Sequence, residues 1–239
     1  AIFSHAGIWS WASPPQTGNF VPEGEVPPEG IHASRIMPVL SKKIETSYAF
    51  NTEDEPSFYD CAKIFENHAL GLKDFNKWNK DRRTWQLGDT AFARRRFILS
   101  SRLVLRRTPA KMKEAMAPLP YQLHPWLADA IQAQKYQMWM ANPEMPAILE
   151  YDAGKLQMLK PTTNRYFESG DIVWFSFALS FDVNSNNWMP EYKPLDFIRV
   201  GNLPQSSEGS DYSLAESVGS AYQSLTSGSA TLYDGTSMI

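Results

Sequence analysis

A strict alternation of apolar with small or polar side chains marks the segment Ile172–Val183. Successive side chains of a β-strand point to opposite faces of a sheet, so the pattern predicts a half-buried strand with one core face. The predicted core-facing positions are Val173, Phe175, Phe177, Leu179, Phe181 and Val183. The opposite face carries Trp174, Ser176, Ala178, Ser180 and Asp182. The Asn-Ser-Asn-Asn run at 184–187 favours a turn and ends the predicted strand.

Shorter apolar runs on either side of this segment predict further strands. Residues 147–151 and 155–160 flank a sequence at 152–154, Asp-Ala-Gly, that is typical of a hairpin turn. Residues 195–200 predict one more strand. Strands joined by short turns predict a small antiparallel sheet or a partly open β-barrel in this part of the chain.

Helical periodicity is clearest between Ser57 and Leu70. Apolar side chains recur there at helical spacing and form one stripe, consisting of Phe58, Cys61, Ala62, Phe65 and Ala69. A second helix is predicted from Pro125 to Ala141, because proline suits the first helical position and the Asn-Pro pair at 142–143 ends the pattern.

The arginine-rich stretch 92–107 clearly fits neither the helical period of 3.6 residues nor the two-residue period of a strand. As a helix it would begin at Asp89, which can cap it, and end before Pro109. Apolar side chains then fall on opposite sides of the helix, with Leu99 on one side and Phe97 on the other. The alternative is a pair of short strands separated by two serines. A helix is the preferred interpretation, so the N-terminal half of the core is expected to be helical.

Residues 1–55 contain six prolines and several glycines, which interrupt helices and mark turns. This composition predicts an irregular arm. Trp9 and Trp11 would point the same way in an extended chain. They are expected either to pin the arm to the core or to form an aromatic platform for a ligand.

The last segment, 204–239, is rich in Ser, Gly and Thr, contains four acidic residues and has no Lys or Arg. Such a composition predicts disorder. The sequence is therefore that of an α+β protein with an irregular arm at 1–55, a core at 56–203 and an acidic disordered tail. In the core, a helical N-terminal half is expected to pack on a small antiparallel sheet or partly open β-barrel.

Charge is distributed unevenly along the chain. The protein has a formal net charge of −3. Residues 73–113, however, contain thirteen basic and three acidic side chains, a formal charge of +10 against −13 for the remainder. Separation on this scale can create a local positive field on an acidic protein.

The basic segment also contains aromatic residues, and this combination predicts binding to nucleic acid. Arginine forks match phosphate geometry, and aromatic rings stack on bases. The predicted binding residues are Arg82, Arg83, Arg94, Arg95, Arg96, Arg102, Arg106 and Arg107, with Trp78 and Trp85. No named nucleic-acid-binding motif matches, and DNA and RNA are both open. The alternative is a solvated basic face that the acidic remainder neutralises.

Catalytic chemistry has little support in the sequence. Glu150, Asp152 and Lys155 resemble a metal-dependent nuclease cluster, but they straddle a predicted turn and are better explained as a charged hairpin tip. The four histidines are scattered, so no zinc site is predicted. Cys61 lies on the helix stripe and is expected to be buried. No catalytic residue, metal or cofactor is predicted.

Three hypotheses about function follow. The first is a non-catalytic nucleic-acid-binding module that uses residues 73–113. The second is a protein–protein assembly component, such as a scaffold or coat subunit, and the third is an enzyme with an unrecognised site. A single cysteine excludes an intramolecular disulfide and favours an intracellular location. No apolar run is long enough to predict a membrane span, and the oligomeric state is open.

Overall fold

The structure, a computed structural model, describes residues 1–29, 31–55, 57–83, 95–108, 118–136, 138–159 and 166–203, with the backbone alone at Ser57 and Phe58. Strands dominate this part of the chain: β1 Ile2–Ala12, β2 Glu45–Asn51, β3 Asp81–Arg82, β4 Arg96–Arg102, β5 Val104–Arg106, β6 Trp139–Ala141, β7 Ala147–Asp152, β8 Lys155–Met158, β9 Asp171–Val183 and β10 Asn187–Asn202. The helices are α1 Ser57–Leu70, α2 Pro125–Gln132 and the 3-10 turn Ala33–Arg35. No described helix is long and apolar enough to cross a membrane.

Eight of the described strands form one sheet. Its order is β4-β2-β1-β9-β10-β7-β8, with β3 added beside the start of β10. Neighbours are antiparallel, except that β7 and β3 run parallel to β10. Strands β5 and β6 form a separate two-stranded sheet.

The large sheet curls, so that β4 at one end approaches β10. The rings of Phe97 on β4 and Tyr192 on β10 lie 5.4 Å apart, and Arg102 reaches Glu191 at 3.7 Å. Five strands, β4, β2, β1, β9 and β10, therefore enclose one core in a barrel-like arrangement. The β7–β8 hairpin extends the sheet beyond it.

Aromatic side chains fill this core. Phe50 on β2, Phe175 on β9 and Phe197 on β10 are all almost completely buried. The rings of Phe50 and Phe175 are stacked at 4.0 Å, and Trp9 meets Phe50 edge-on at 5.4 Å. Burial of such large rings is the main favourable contribution to folding here.

The α+β prediction with a helical N-terminal half is wrong, because the described chain is mostly β-sheet. The segment interpreted as an irregular arm contributes β1 and β2, which are interior strands of the large sheet. Its prolines lie between these strands and interrupt neither of them.

The prediction of a helix at 92–107 is also wrong for the described residues of this stretch, which form β4 and β5. Burial alternates along β4, with Phe97, Leu99 and Ser101 inside. The arginines at both ends of β4 stay on the outer face. A two-residue period therefore places the apolar side chains in the core and the arginines on the outer face. A helix would have placed arginine on its apolar face.

Several sequence predictions are confirmed. The alternating strand is β9, the hairpin is β7–β8, and the first helix is α1. The hairpin turn places Ala153 and Gly154 at φ values of 47° and 81°, as a tight two-residue turn requires. Cys61 is exposed, contrary to expectation.

The second helix is shorter than predicted. It begins at Pro125 but ends at Gln132. The Gln134 side chain donates to the Ile131 and Trp139 carbonyls and accepts from the Trp139 amide at 2.7 Å. This side chain replaces helical hydrogen bonds and turns the chain into β6.

Candidate nucleic-acid interface

An open groove of about 650 Å³ lies between the loop that follows α1 and the β9–β10 turn. We call it the Trp78 groove. Its lining includes aromatic, basic and amide side chains together with one acidic residue: Asp74, Phe75, Asn76, Lys77, Trp78, Lys80, Phe181, Val183, Asn184 and Ser185. The groove therefore offers stacking surface and positive charge together.

The loop that presents Trp78 is held by its own hydrogen bonds. Asn76 donates from Nδ2 to the Lys80 carbonyl and accepts at Oδ1 from the Lys80 amide, both at 2.8 Å. Asn76 and Asn79 have φ values of 46° and 48°, a left-handed conformation that asparagine tolerates better than most residues. Trp78 thus projects from a closed loop whose two ends are tied together.

Buried aromatic residues anchor this loop to the sheet. Phe75 is buried, and its ring meets Trp188 of β10 edge-on at 5.4 Å and Phe181 of β9 at 5.9 Å. Ala69 at the end of α1 packs in the same cluster. The base of the groove is therefore part of a packed core.

Trp78 itself is 79% exposed. Large aromatic side chains usually bury most of their surface, and exposed apolar surface beside polar groups often marks a binding site. Lys77 and Lys80 stand on either side of Trp78 in the sequence. Lys77 lies 2.9 Å from Asp74, but both side chains are mostly exposed, so this ion pair is weak.

The opposite wall is the turn between β9 and β10. Asn184 accepts at Oδ1 from the amides of Asn186 and Asn187 and donates from Nδ2 to the Asn187 side chain. These bonds use the Asn184 side chain to fix the turn. Ser185 at the tip lines the groove. The hydrogen bonds of the Asn184 side chain therefore fix the shape of this wall.

Arg82 and Arg83, both predicted to bind nucleic acid, fasten the groove to the rest of the fold. Arg82 forms a two-point ion pair with Glu66 of α1, with both contacts at 2.6 Å. Its guanidinium also lies 6.0 Å from the centre of the Trp188 ring. The Arg83 amide donates to the Trp188 carbonyl, and its guanidinium reaches the Met189 sulfur.

The other predicted arginines do not form one continuous row. Arg95 is paired with Glu53 at 3.4 Å, and Arg102 with Glu191. Arg107 is buried, whereas Arg106 is exposed on β5. Burial raises the pKa of the Glu191 carboxyl, and the nearby Arg102 charge opposes that shift. Two other predicted residues, Arg94 and Trp85, lie outside the described residues.

A second surface with aromatic and basic character lies on the outer face of β1, β2 and β4. The pairing of β1 with β2 shifts between Trp9 and Trp11, so these two side chains point to opposite faces. Trp9 enters the core, whereas Trp11 pairs with Ala49, which is on the opposite face from Phe50 and is itself buried, and Ala49 in turn pairs with Ile98. The expectation that Trp9 and Trp11 face the same way is therefore wrong.

Arg96 stands next to Ile98 on the outer face of β4, two residues along the strand. Its backbone carbonyl accepts a 2.6 Å hydrogen bond from the Tyr59 hydroxyl of α1. Within the basic segment, described residues thus lie around the Trp78 groove and on or next to β4, while Arg106 and Arg107 belong to β5 and the residue after it. Lys77 and Lys80 were counted only as charge in the sequence. The signal that could have identified them is their position on either side of Trp78, next to the turn-forming Asn76 and Asn79.

No family model and no curated protein matches this chain. Solved structures that resemble it weakly include two bacteriophage proteins. One is gp2.5, a single-stranded DNA-binding protein encoded by bacteriophage T7, with 12% identity and a TM-score of 0.38 over 88% of this chain and 91% of that one. The other is the single-stranded DNA-binding protein from bacteriophage Enc34, with 11% identity and a TM-score of 0.34 over 90% and 89%. TM-scores this low establish neither a shared fold nor a shared function.

Proposed function

We propose that this protein binds single-stranded nucleic acid and that the Trp78 groove anchors one nucleotide of the strand. The observation that carries the proposal is the exposed Trp78 ring, fixed on a closed loop between Lys77 and Lys80. A base stacks on the indole while the ammonium groups contact the flanking phosphates.

The groove favours an unpaired strand over a duplex. A base within a duplex is already stacked on its neighbours and must be flipped out before it can reach an indole, which costs a few kcal/mol. A base in a single strand meets Trp78 without that cost. Stacking is tolerant of sequence, because every base has an aromatic face.

Phosphate binding is compatible with the charges around the groove. The Lys77–Asp74 pair is exposed to solvent, so a phosphate can replace Asp74 as the partner of Lys77 at a small cost in free energy. Arg82, in contrast, is held by Glu66 in a two-point contact and is assigned a structural role. The lysines, and not the arginines beside them, are therefore the proposed phosphate ligands at this site.

The position of the groove within the fold is consistent with this role. The ring order β4-β2-β1-β9-β10 corresponds to the OB-type barrel, in which oligonucleotides bind on the second and third strands and beside the loop joining the last two. Here those strands are β2 and β4, which do not line the Trp78 groove, and the loop is the β9–β10 turn, which does. A fold does not assign a function by itself, so the side chains of the groove remain the main support.

Replacing Lys77 and Lys80 together by glutamine should weaken binding to any single strand and reduce its salt dependence. If each lysine neutralises one phosphate, the slope of log affinity against log salt should flatten by about 1.4, because each phosphate contributes about 0.7 for single strands. Fluorescence anisotropy of a labelled oligonucleotide at several salt concentrations measures this slope.

The matched control changes two exposed lysines outside the basic segment, Lys42 and Lys43, to glutamine. This control has the same net charge as the double variant of the groove and should keep most of the wild-type slope. Equal slopes for both double variants would show that overall charge, and not the groove, governs binding. Absence of binding at low salt would reject the function itself.

A further inference from the structure

The β7–β8 hairpin has one face that is apolar and exposed. Cross-strand pairs place Leu149 opposite Met158 and Tyr151 opposite Leu156, and all four side chains lie on the same face. Tyr151, Leu156 and Met158 are 54%, 57% and 68% exposed. Exposed apolar side chains are ordinary when they occur singly, but three adjacent ones on a protruding hairpin indicate a contact surface.

The outer edge of β8 has no strand partner in the part of the chain that the structure describes. The Leu159 amide donates to the Ile148 carbonyl of β7 at 3.0 Å. Because backbone groups alternate in direction along a strand, the N–H and C=O groups of Leu156 and Met158 point to the free edge. Among the described residues, the backbone groups of these two residues therefore have no strand partner on that edge.

We propose that this edge pairs with the same edge of a second copy of the chain, across a two-fold axis at Gln157. Antiparallel pairing about this axis sets Leu156 opposite the partner's Met158 and Met158 opposite the partner's Leu156. Both are hydrogen-bonded pairs, in which the two residues exchange two N–H···O=C bonds. Four backbone hydrogen bonds therefore form across the axis. The edge is thus self-complementary in its backbone and in its side chains, as a two-fold contact requires.

The same register continues the apolar face without interruption. Tyr151 and Leu156 of one copy form a cross-strand row with the partner's Met158 and the partner's Leu149. The two-fold axis generates a second, identical row. Neighbouring apolar side chains across strands stabilise a sheet. The contact involves few residues per copy, so it belongs with small interfaces, and we expect a dimer with a dissociation constant on the order of micromolar.

Sedimentation velocity of the full chain over a range of concentrations tests this interface. The wild-type mass should rise from the monomer value of 27.1 kDa toward twice that value as concentration increases. The double variant Leu156→Lys, Met158→Lys should weaken the dimer at least tenfold, because it sets lysines opposite lysines across the axis. The matched control is Ile64→Lys on α1, which changes an equally exposed apolar side chain and should dimerise like the wild type.

A second variant tests the backbone pairing. Met158→Pro removes an N–H group that has no partner within the hairpin, and proline is tolerated on an edge strand at such a position. Its thermal midpoint should stay close to that of the wild type, while its dimer is lost. A wild type that stays monomeric up to high concentration, or dimers that persist in both β8 variants, would overturn the proposal. Neither result bears on nucleic-acid binding, which is measured separately.

Discussion

Replacing Phe175 by alanine is expected to lower the free energy of unfolding by about 3–5 kcal/mol. Phe175 is 1% exposed at the centre of the core. Its ring is stacked on Phe50 at 4.0 Å and also meets Phe97 and Phe177 at about 6 Å. Truncation removes all these contacts and leaves a cavity that rigid neighbouring rings fill poorly. Urea unfolding followed by circular dichroism measures the loss.

The matched control for this prediction is Ser180→Ala on the outer face of the same strand. It should change the stability by no more than about 0.5 kcal/mol, as is usual for surface substitutions. Ser176 is less suitable, although it lies on the same outer face, because it is buried and donates to Asp196 at 2.7 Å. A loss at Ser180 equal to that at Phe175 would show that the faces of β9 are misassigned.

Replacing Trp78 by alanine is expected to weaken single-strand binding at least about fivefold, because stacking of one base contributes about 1–3 kcal/mol. The fold should be unaffected, since the ring is mostly in solvent and the loop is held by Asn76. Trp78→Phe should retain part of the affinity, because a smaller ring still stacks. Anisotropy titrations at constant salt measure all three proteins.

The chain offers a close control for this substitution. Tyr136 is 66% exposed and lies beside a lysine, with the Lys135 ammonium 5.3 Å from the ring centre. It is not part of the Trp78 groove. Tyr136→Ala should therefore leave the affinity unchanged. Similar losses for Tyr136→Ala and Trp78→Ala would mean that exposed aromatic residues contribute without a specific site.

The elements that sequence analysis identified are those whose signal is local. The alternation in β9, the tight turn of the β7–β8 hairpin and the helical stripe of α1 each come from one short segment. The errors have physical causes that a pattern does not show. Prolines predicted an irregular arm at residues 1–55, but they lie between β1 and β2, and the bulge between Trp9 and Trp11 reverses the expected facing of these two side chains. β10 begins at Asn187, before the strand predicted at 195–200, and it contains Pro190 and Pro194 as buried residues.

The candidate site was only partly predictable. Trp78 and the excess of positive charge were visible in the sequence. The groove was not, because its second wall comes from Asn184 and Ser185, more than a hundred residues further along the chain. The roles of the arginines depend on distant acidic partners such as Glu66 and Glu191. A count of charges cannot distinguish an arginine that fastens two elements together from one that binds phosphate.

The most direct test of the central claim compares one oligonucleotide as a single strand and as a duplex with its complement. Both are titrated by anisotropy at the same moderate salt concentration, where non-specific attraction to phosphate is reduced. The single strand should bind more tightly, and this preference should shrink in Trp78→Ala, because only an unpaired base reaches the indole freely. Equal or tighter binding of the duplex, or a preference that Trp78→Ala leaves intact, would contradict the proposed role of the groove.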